Sequence, residues 1–265
     1  MPLSITPLHP LFAAEVTGLD LSHKLPPGAA DAIHRAMDQY AVLVFRDQRL
    51  DDDQQMDFGR QLGKLEPTRG VVDVHKHRLK HQEMNDISNL DTDGKLLAAD
   101  DRRRMFALGN RLWHSDSSFK KTPASYSMLH ARVIPPEGGD TEFADMRAAW
   151  DALPAKDKAK VKDLTTWHSL IYSRAQLGFD EYTDAEKQAF APVQQRLVRR
   201  HAGSGRVSLY LSAHIGRVEG MPTPEGMMLI RELTEHATQR DFVYRHQWRP
   251  FDLVMWDNRC TLHRA

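Results

Sequence analysis

A mainly β fold with flanking helices is the class this sequence predicts, and three observations carry the prediction. Beyond Leu112 the apolar residues gather in short runs rich in β-branched and aromatic types, while the helical patterns are few and stand apart. No stretch rich in Gly, Ser or Pro divides the chain and no fixed-period repeat occurs, so residues 1–265 read as one domain. With 41% hydrophobic residues the chain can bury a sizeable core.

The elements follow in order. Pro26-Pro27 opens a helix that carries Ala29, Ile33, Met37 and Tyr40 at helical spacing, and Ala41-Val42-Leu43-Val44-Phe45 behind it reads as a buried strand. Asp51 can cap a second helix with Phe58, Leu62 and Leu65 on one face. Residues 67–108 are charged, contain Asp91-Thr92-Asp93-Gly94 and Arg102-Arg103-Arg104, and lack sustained periodicity, so they read as a long insertion or lid. Residues 112–119, 126–134, 206–211 and 242–248 read as strands, the last with Phe242, Tyr244, His246 and Trp248 on one face. Met146, Ala149, Trp150 and Leu153 mark a helix stopped by Pro154, and Thr223-Pro224-Glu225 starts another with Met227, Ile230 and Leu233. Lys156, Lys158, Lys160 and Lys162 lie among acids and read as a solvated helix face.

Composition excludes several classes of function. Thirty-six basic residues balance thirty-six acidic ones, so no net field attracts nucleic acid or an anionic membrane. The apolar runs are far shorter than the roughly 20 residues of a membrane-spanning helix, and Met1-Pro2-Leu3-Ser4 lacks the features of a secretory signal. A single cysteine, Cys260, cannot form an internal disulfide, so a reducing cytoplasm is expected and Cys260 is given a packing role. Fourteen histidines are the unexplained surplus, and histidine is the usual material of metal and proton-transfer sites.

The chemistry centres on Trp113-His114-Ser115-Asp116. Read as a strand, it points His114 and Asp116 to the same face as adjacent ligands. His263, in Trp256-Asp257-Asn258-Arg259-Cys260-Thr261-Leu262-His263, can join them only through a folded sheet. Two histidines and a carboxylate leave several positions of a metal open, as non-haem Fe(II) oxygenases require. Alone, His-x-Asp is more often a surface pair than a metal site, and Gly138-Gly139-Asp140-Thr141 alone reads as a hairpin turn.

Together, Gly109-Asn110-Arg111-Leu112-Trp113-His114-Ser115-Asp116-Ser117-Ser118-Phe119, Pro135-Pro136-Glu137-Gly138-Gly139-Asp140-Thr141-Glu142-Phe143, His201-Ala202-Gly203-Ser204-Gly205-Arg206 and Asp252-Leu253-Val254-Met255-Trp256-Asp257-Asn258-Arg259 resemble the taurine/2,4-dichlorophenoxyacetate family of Fe(II)- and 2-oxoglutarate-dependent dioxygenases. The resemblance runs from Leu8-His9-Pro10-Leu11-Phe12-Ala13-Ala14 to the last residue and is nearer to the 2,4-dichlorophenoxyacetate branch. It implies a double-stranded β-helix, or jelly roll, with His114, Asp116 and His263 as iron ligands and with 2-oxoglutarate and O₂ as co-substrates. Thr141 matches a threonine that helps hold the distal carboxylate of 2-oxoglutarate, and Trp248 a tryptophan lining that pocket. Asn110, Ser117, Lys95, His201 and His214 match positions at or near the substrate, and a lysine of the relative's lid appears here as Val71. The family also places arginines after the distal histidine, so the end of the domain is expected beyond Ala265; Arg264 is too near the ligand to replace them.

The activity implied is hydroxylation of the carbon between ether oxygen and carboxylate in an aryloxyalkanoate such as 2,4-dichlorophenoxyacetate. Its products would be a phenol, glyoxylate, succinate and CO₂. Alternatives are a dioxygenase for taurine or another sulfonate or carboxylate, or a non-catalytic jelly-roll binding protein. The resemblance further implies a homo-oligomer with a small-molecule substrate and no nucleic-acid or membrane partner. His75-Lys76-His77-Arg78 and His81 read as solvated lid residues or as groups that close over the substrate carboxylate.

Overall fold

The computed structural model describes residues 3–67 and 78–265, so Val71, His75, Lys76 and His77 lie outside the described residues. A hairpin of β1 (Ser4–Pro7) and β2 (Ala14–Thr17) precedes α1 (Ala29–Tyr40), which buries Ala29, Ile33, Ala36 and Met37. Ala41 turns the chain at φ 58° into β3 (Val42–Phe45), all four residues of which are buried. Asp51 then caps α2 (Asp52–Leu62): its side chain accepts from Gln54 N at 2.8 Å while Gln54 Oε1 accepts from Asp51 N at 2.9 Å. The described part of the insertion ends in α3 (Arg102–Ala107) and a 3-10 turn over Leu108–Arg111.

The second half supplies β4 (Tyr126–His130), β5 (Thr141–Asp145), α4 (Met146–Ala152), α5 (Ala155–Val161), β6 (Thr165–His168), α6 (Leu170–Ala175) and α7 (Asp184–Ala189). It continues with β7 (Val193–Arg196), β8 (Val198–Arg200), β9 (Val207–Leu209), β10 (Ile215–Val218), α8 (Thr223–Ala237), β11 (Val243–His246), β12 (Leu253–Asp257) and β13 (Thr261–Arg264). The strands pair as β1-β2-β3-β12-β4, β11-β5-β13, β10-β6-β7 and β8-β9, the jelly-roll arrangement expected from the sequence.

Alternation along β3 and β12 explains why both read as uninterrupted apolar runs. Leu43, Phe45, Leu253 and Met255 pack outward under α1 and α2, whereas Val42, Val44, Val254 and Trp256 pack inward against Phe143 of the facing sheet. Phe143 and His263 are register partners across β5 and β13 and share the inward face, with ring centroids 6.1 Å apart. Their neighbours Ala144 and Leu262 face the other way, into a core closed by α4 and α8. The interior between the sheets is thus where His263 points.

Several expectations are corrected. Residues 112–119 are not a strand: His114 makes one isolated bridge, and the chain then turns through Ser117 at φ 57°. The strand read at 126–134 stops at His130, and that at 206–211 shrinks to β9. Phe242 belongs to a 3-10 turn and packs in the α4–α8 core, apart from Tyr244 and Trp248. Gly138-Gly139 makes no hairpin, because β4 pairs with β12 and β5 with β11 and β13; the segment crosses between sheets. Cys260, for which the sequence suggests a buried strand, lies buried in the turn before β13. Among the described residues no helix is long and apolar enough to cross a membrane.

Candidate active site

His114 and His263 are held by their own backbones. His114 N donates to His263 O at 3.0 Å and His263 N to His114 O at 2.9 Å, which sets the two imidazoles side by side with centroids 4.1 Å apart. Nδ1 of His114 lies 2.7 Å from Leu112 O and serves as the donor there, which leaves Nε2 as an acceptor. Asp116 is brought back by the turn, and its Oδ1 lies 3.7 Å from His114 Nε2 and 3.8 Å from His263 Nε2.

Those separations are too long for hydrogen bonds, yet the three atoms converge. Two ligands each about 2.1 Å from one ion stand about 3.0–3.4 Å apart, so a common ion needs only a slight closing of this group. The protonation states suit the same purpose. Burial pulls the His114 imidazole below its ordinary value and takes His263 down to about 3, so both are neutral near pH 7. Burial alone would raise Asp116, but His263, His114 and the Ser127 hydroxyl hold it below the ordinary carboxylate value. The residues present therefore fit a divalent cation with its remaining positions open.

A second layer fixes the carboxylate. Ser127 Oγ donates to Asp116 Oδ2 at 2.8 Å and accepts from Asn258 Nδ2 at 2.8 Å, which leaves Oδ1 to face the histidines. Ser115 Oγ donates to Asn258 O at 2.7 Å, so the motif's serine ties its turn to the loop between β12 and β13. Trp256 and Phe143 form an apolar wall, with the Trp256 ring 4.8 Å from that of His263.

The other sequence-derived candidates divide. Thr141 opens β5 two residues before Phe143, on its face, and its Oγ1 accepts from Trp248 Nε1 at 3.0 Å; this pair is brought together beside the triad's wall. Asn110 accepts at its carbonyl from Ala265 N and sits at the approach to His114. Ser117 occupies the turn and reaches Glu66 Oε1 at 3.2 Å. His214 packs edge-on against His114 and Phe119, with centroids 5.9 and 4.9 Å away, and its Nδ1 meets Ser173 Oγ at 3.0 Å.

Two candidates are not brought to the triad. Lys95 is exposed in a turn closed by its backbone N on Asp91 Oδ1. His201 is buried against Asp257 Oδ2 at 3.0 Å, at the far end of β12, with Ser204 engaging its other nitrogen. His201, Asp257 and Cys260 also cluster, but Asp257 already pairs with the Arg259 guanidinium, so the group is a structural network. Arg264 pairs with Glu142 at 2.7 Å and lies over the Trp113 ring, away from the interior.

One residue escaped the sequence reading. Arg174 on α6 is buried beside Asn110 and His214, and burial pulls its guanidinium down to about 10, still a cation at neutral pH. Arg174 stands four residues after Leu170, on the buried face of its helix, a placement that only the fold reveals.

The family model described as taurine catabolism dioxygenase TauD, TfdA family matches residues 4–265. An alpha-ketoglutarate-dependent 2,4-dichlorophenoxyacetate dioxygenase of Cupriavidus pinatubonensis (strain JMP 134 / LMG 1197) is 51% identical over 265 residues, covering 100% of this chain and 92% of that protein. An (S)-phenoxypropionate/alpha-ketoglutarate-dioxygenase of Sphingobium herbicidovorans is 39% identical, covering 98% and 88%. The crystal structure of AAD-2 in complex with Mn(II) and N-oxalylglycine superposes with a TM-score of 0.96 at 55% identity, covering 100% of this chain and 92% of that one.

Proposed function

This chain belongs to the TauD, TfdA family of dioxygenases and is an Fe(II)- and 2-oxoglutarate-dependent oxidoreductase; from that premise we propose that its substrate is an aryloxyalkanoate such as 2,4-dichlorophenoxyacetate. The observation that carries the reading is the convergence of His114 Nε2, His263 Nε2 and Asp116 Oδ1 on one point. We assign these three as the metal ligands, Thr141 and Trp248 to the co-substrate, and Asn110, Ser117 and His214 to the substrate side.

Bound Fe(II), with 2-oxoglutarate and O₂, supplies the oxidising power for hydroxylating a C–H bond while 2-oxoglutarate becomes succinate and CO₂. The protein's own part is positional. The His114–His263 backbone bridge and the Ser127 hydrogen bond hold three donors on one side, so the opposite side stays free for ligands. The Thr141 hydroxyl, fixed by Trp248, offers a hydrogen bond to a carboxylate beside the triad. Trp256 and Phe143 exclude water from the histidine side. Hydroxylation of the carbon between ether oxygen and carboxylate gives a hemiacetal, which collapses to a phenol and glyoxylate without a protein nucleophile.

The test is anaerobic addition of Fe(II) and 2-oxoglutarate, read by the visible charge-transfer band, followed by O₂ with aryloxyacetates and taurine. Equimolar phenol and succinate from an aryloxyacetate are expected. Succinate production driven by taurine alone would overturn the substrate assignment. We further read residues 1–265 as one domain, supported by the family match over 4–265, with 67–108 an insertion that leads through α3 toward Asn110 and His114. We also infer a cytoplasmic homo-oligomer: the lone buried Cys260 suits a reducing compartment, and sedimentation at the monomer mass would refute the assembly.

A further inference from the structure

Two arginines are buried among the described residues, and they are treated oppositely. Arg147, 0% exposed, is fully neutralised: Nε and Nη2 each lie 3.0 Å from the Asp145 carboxylate, and Nη1 and Nη2 donate to the carbonyls of Asp38 and Gln39. Arg174, 5% exposed, makes no ion pair among the described residues, and the carboxylate that acts on it, Asp116, does so only through space. Its Nη1 donates to Ser173 Oγ at 3.0 Å, its Nη2 reaches Asn110 Oδ1 at 3.4 Å, and its Nε has no acceptor. A buried cation supported by two neutral acceptors and one empty donor is strongly disfavoured unless an anion completes it.

The surroundings indicate which anion. Ser173 Oγ also meets His214 Nδ1, and the His214 ring packs on His114, so two side chains, Ser173 and His214, link the guanidinium to the triad. The Phe106 ring sits 4.6 Å beneath Cζ, Phe179 packs edge-on against Phe106, and Tyr182 packs edge-on against Phe179. The Tyr182 hydroxyl is also buried without a partner. A guanidinium edge and a phenol hydroxyl, both lacking acceptors, thus border a cluster of aromatic rings, the complement of a carboxylate attached to an aryl group. Gly109 makes room for the guanidinium itself, because a Cβ there would stand 2.3 Å from Arg174 Cζ.

We propose that Arg174 is the anchor for the carboxylate of the aryloxyalkanoate substrate, with the Tyr182 hydroxyl as its second donor. The inference deepens the substrate assignment above and rests on it. The carboxylate is the primary substrate's rather than that of 2-oxoglutarate, because Thr141 on β5 and its partner Trp248 lie outside the cluster that α6 builds around Arg174.

Arg174→Met, Arg174→Lys and wild type are compared in three measurements. Equilibrium dialysis of 2,4-dichlorophenoxyacetate against the metal-free protein reads the anchor without iron. Arg174→Met should bind on the order of 10- to 100-fold more weakly, the loss of charge-assisted hydrogen bonds, with Arg174→Lys between. KM for the aryloxyacetate should rise in parallel with kcat little changed, while the 2-oxoglutarate titration of the charge-transfer band is unaffected. Thermal melting should be unchanged or raised in Arg174→Met, since a stranded charge has been removed; a purely structural arginine would instead give a lower Tm. Equal aryloxyacetate binding by wild type and Arg174→Met, or a loss confined to 2-oxoglutarate, overturns the proposal. Failure of wild type to form the band refutes the dioxygenase reading separately, because dialysis still decides the anchor.

Discussion

Replacing Ser127 by alanine should weaken metal binding without unfolding the protein. The hydroxyl donates to Asp116 Oδ2 at 2.8 Å and is itself oriented by Asn258 Nδ2 at 2.8 Å. A hydrogen bond to a charged acceptor contributes about 1.5–3 kcal/mol, and about 1.4 kcal/mol is a factor of ten, so a divalent ion should bind roughly 10- to 150-fold more weakly. This agrees with the roughly 10- to 100-fold loss usual when a group behind a metal ligand is removed. Titration of the metal-free protein with Mn(II), followed by electron paramagnetic resonance of the free ion, measures the affinity independently of turnover. Ser127→Thr retains the hydroxyl and should restore most of it. Equal Mn(II) affinities for Ser127→Ala and wild type, with superimposable melting curves, would refute the idea that this hydrogen bond aims Oδ1 at the histidines.

Three further outcomes are expected. Trp248→Phe removes the donor to Thr141 Oγ1, and Thr141→Val the hydroxyl itself; each should raise KM for 2-oxoglutarate several-fold, about 1 kcal/mol of neutral hydrogen bonding, and unchanged KM values would separate this pair from the co-substrate. Phe143→Ala opens a cavity between the sheets beside His263 and should cost about 3–5 kcal/mol in urea unfolding, with a loss below 1 kcal/mol contradicting its place in the core. His168 is buried, and burial, aided by Arg199, takes its pKa down to about 3. Its neutral form therefore stabilises the fold fully above about pH 6.5, and that contribution is lost as pH falls toward 3, at about 1.4 kcal/mol per pH unit. Urea midpoints for wild type and His168→Gln between pH 7 and 5 should show a steeper decline for wild type, and parallel curves would count against a depressed His168.

What the sequence made legible follows from which signals are local. Helix α1 and strand β3 carry their pattern within a few residues, and the Asp51 cap lies in the same short stretch, so all three were readable in advance. His114 and Asp116 were found through an assumption of strand geometry, although a turn through Ser117 is what swings Asp116 back toward His114. Periodicity does not distinguish these cases, because residues two apart converge in either. Strands β6, β7, β8 and β10 are short, and β7 and β8 are rich in polar residues, so their identity comes from cross-strand partners rather than from sequence. His201 illustrates the reverse difficulty, since a histidine ring can be engaged by a structural carboxylate as readily as by a ligand, and only its distance to Asp257 separates the two. Arg174 was passed over because an arginine in a chain with many of them attracts notice only once it is seen to be buried with its Nε lacking an acceptor.

The backbone bridge between His114 and His263 also governs how the protein is made. It joins segments separated by more than half of the chain, and such non-local pairings form late and slowly, after the intervening strands have found their partners. Until β13 is paired only one of the two imidazoles is in place, so the three donors exist together only in the completed sheet. Loading is in this way a checkpoint on assembly: an ion that binds only the finished fold withdraws chains from the unfolded pool by mass action, and a chelator returns them to it.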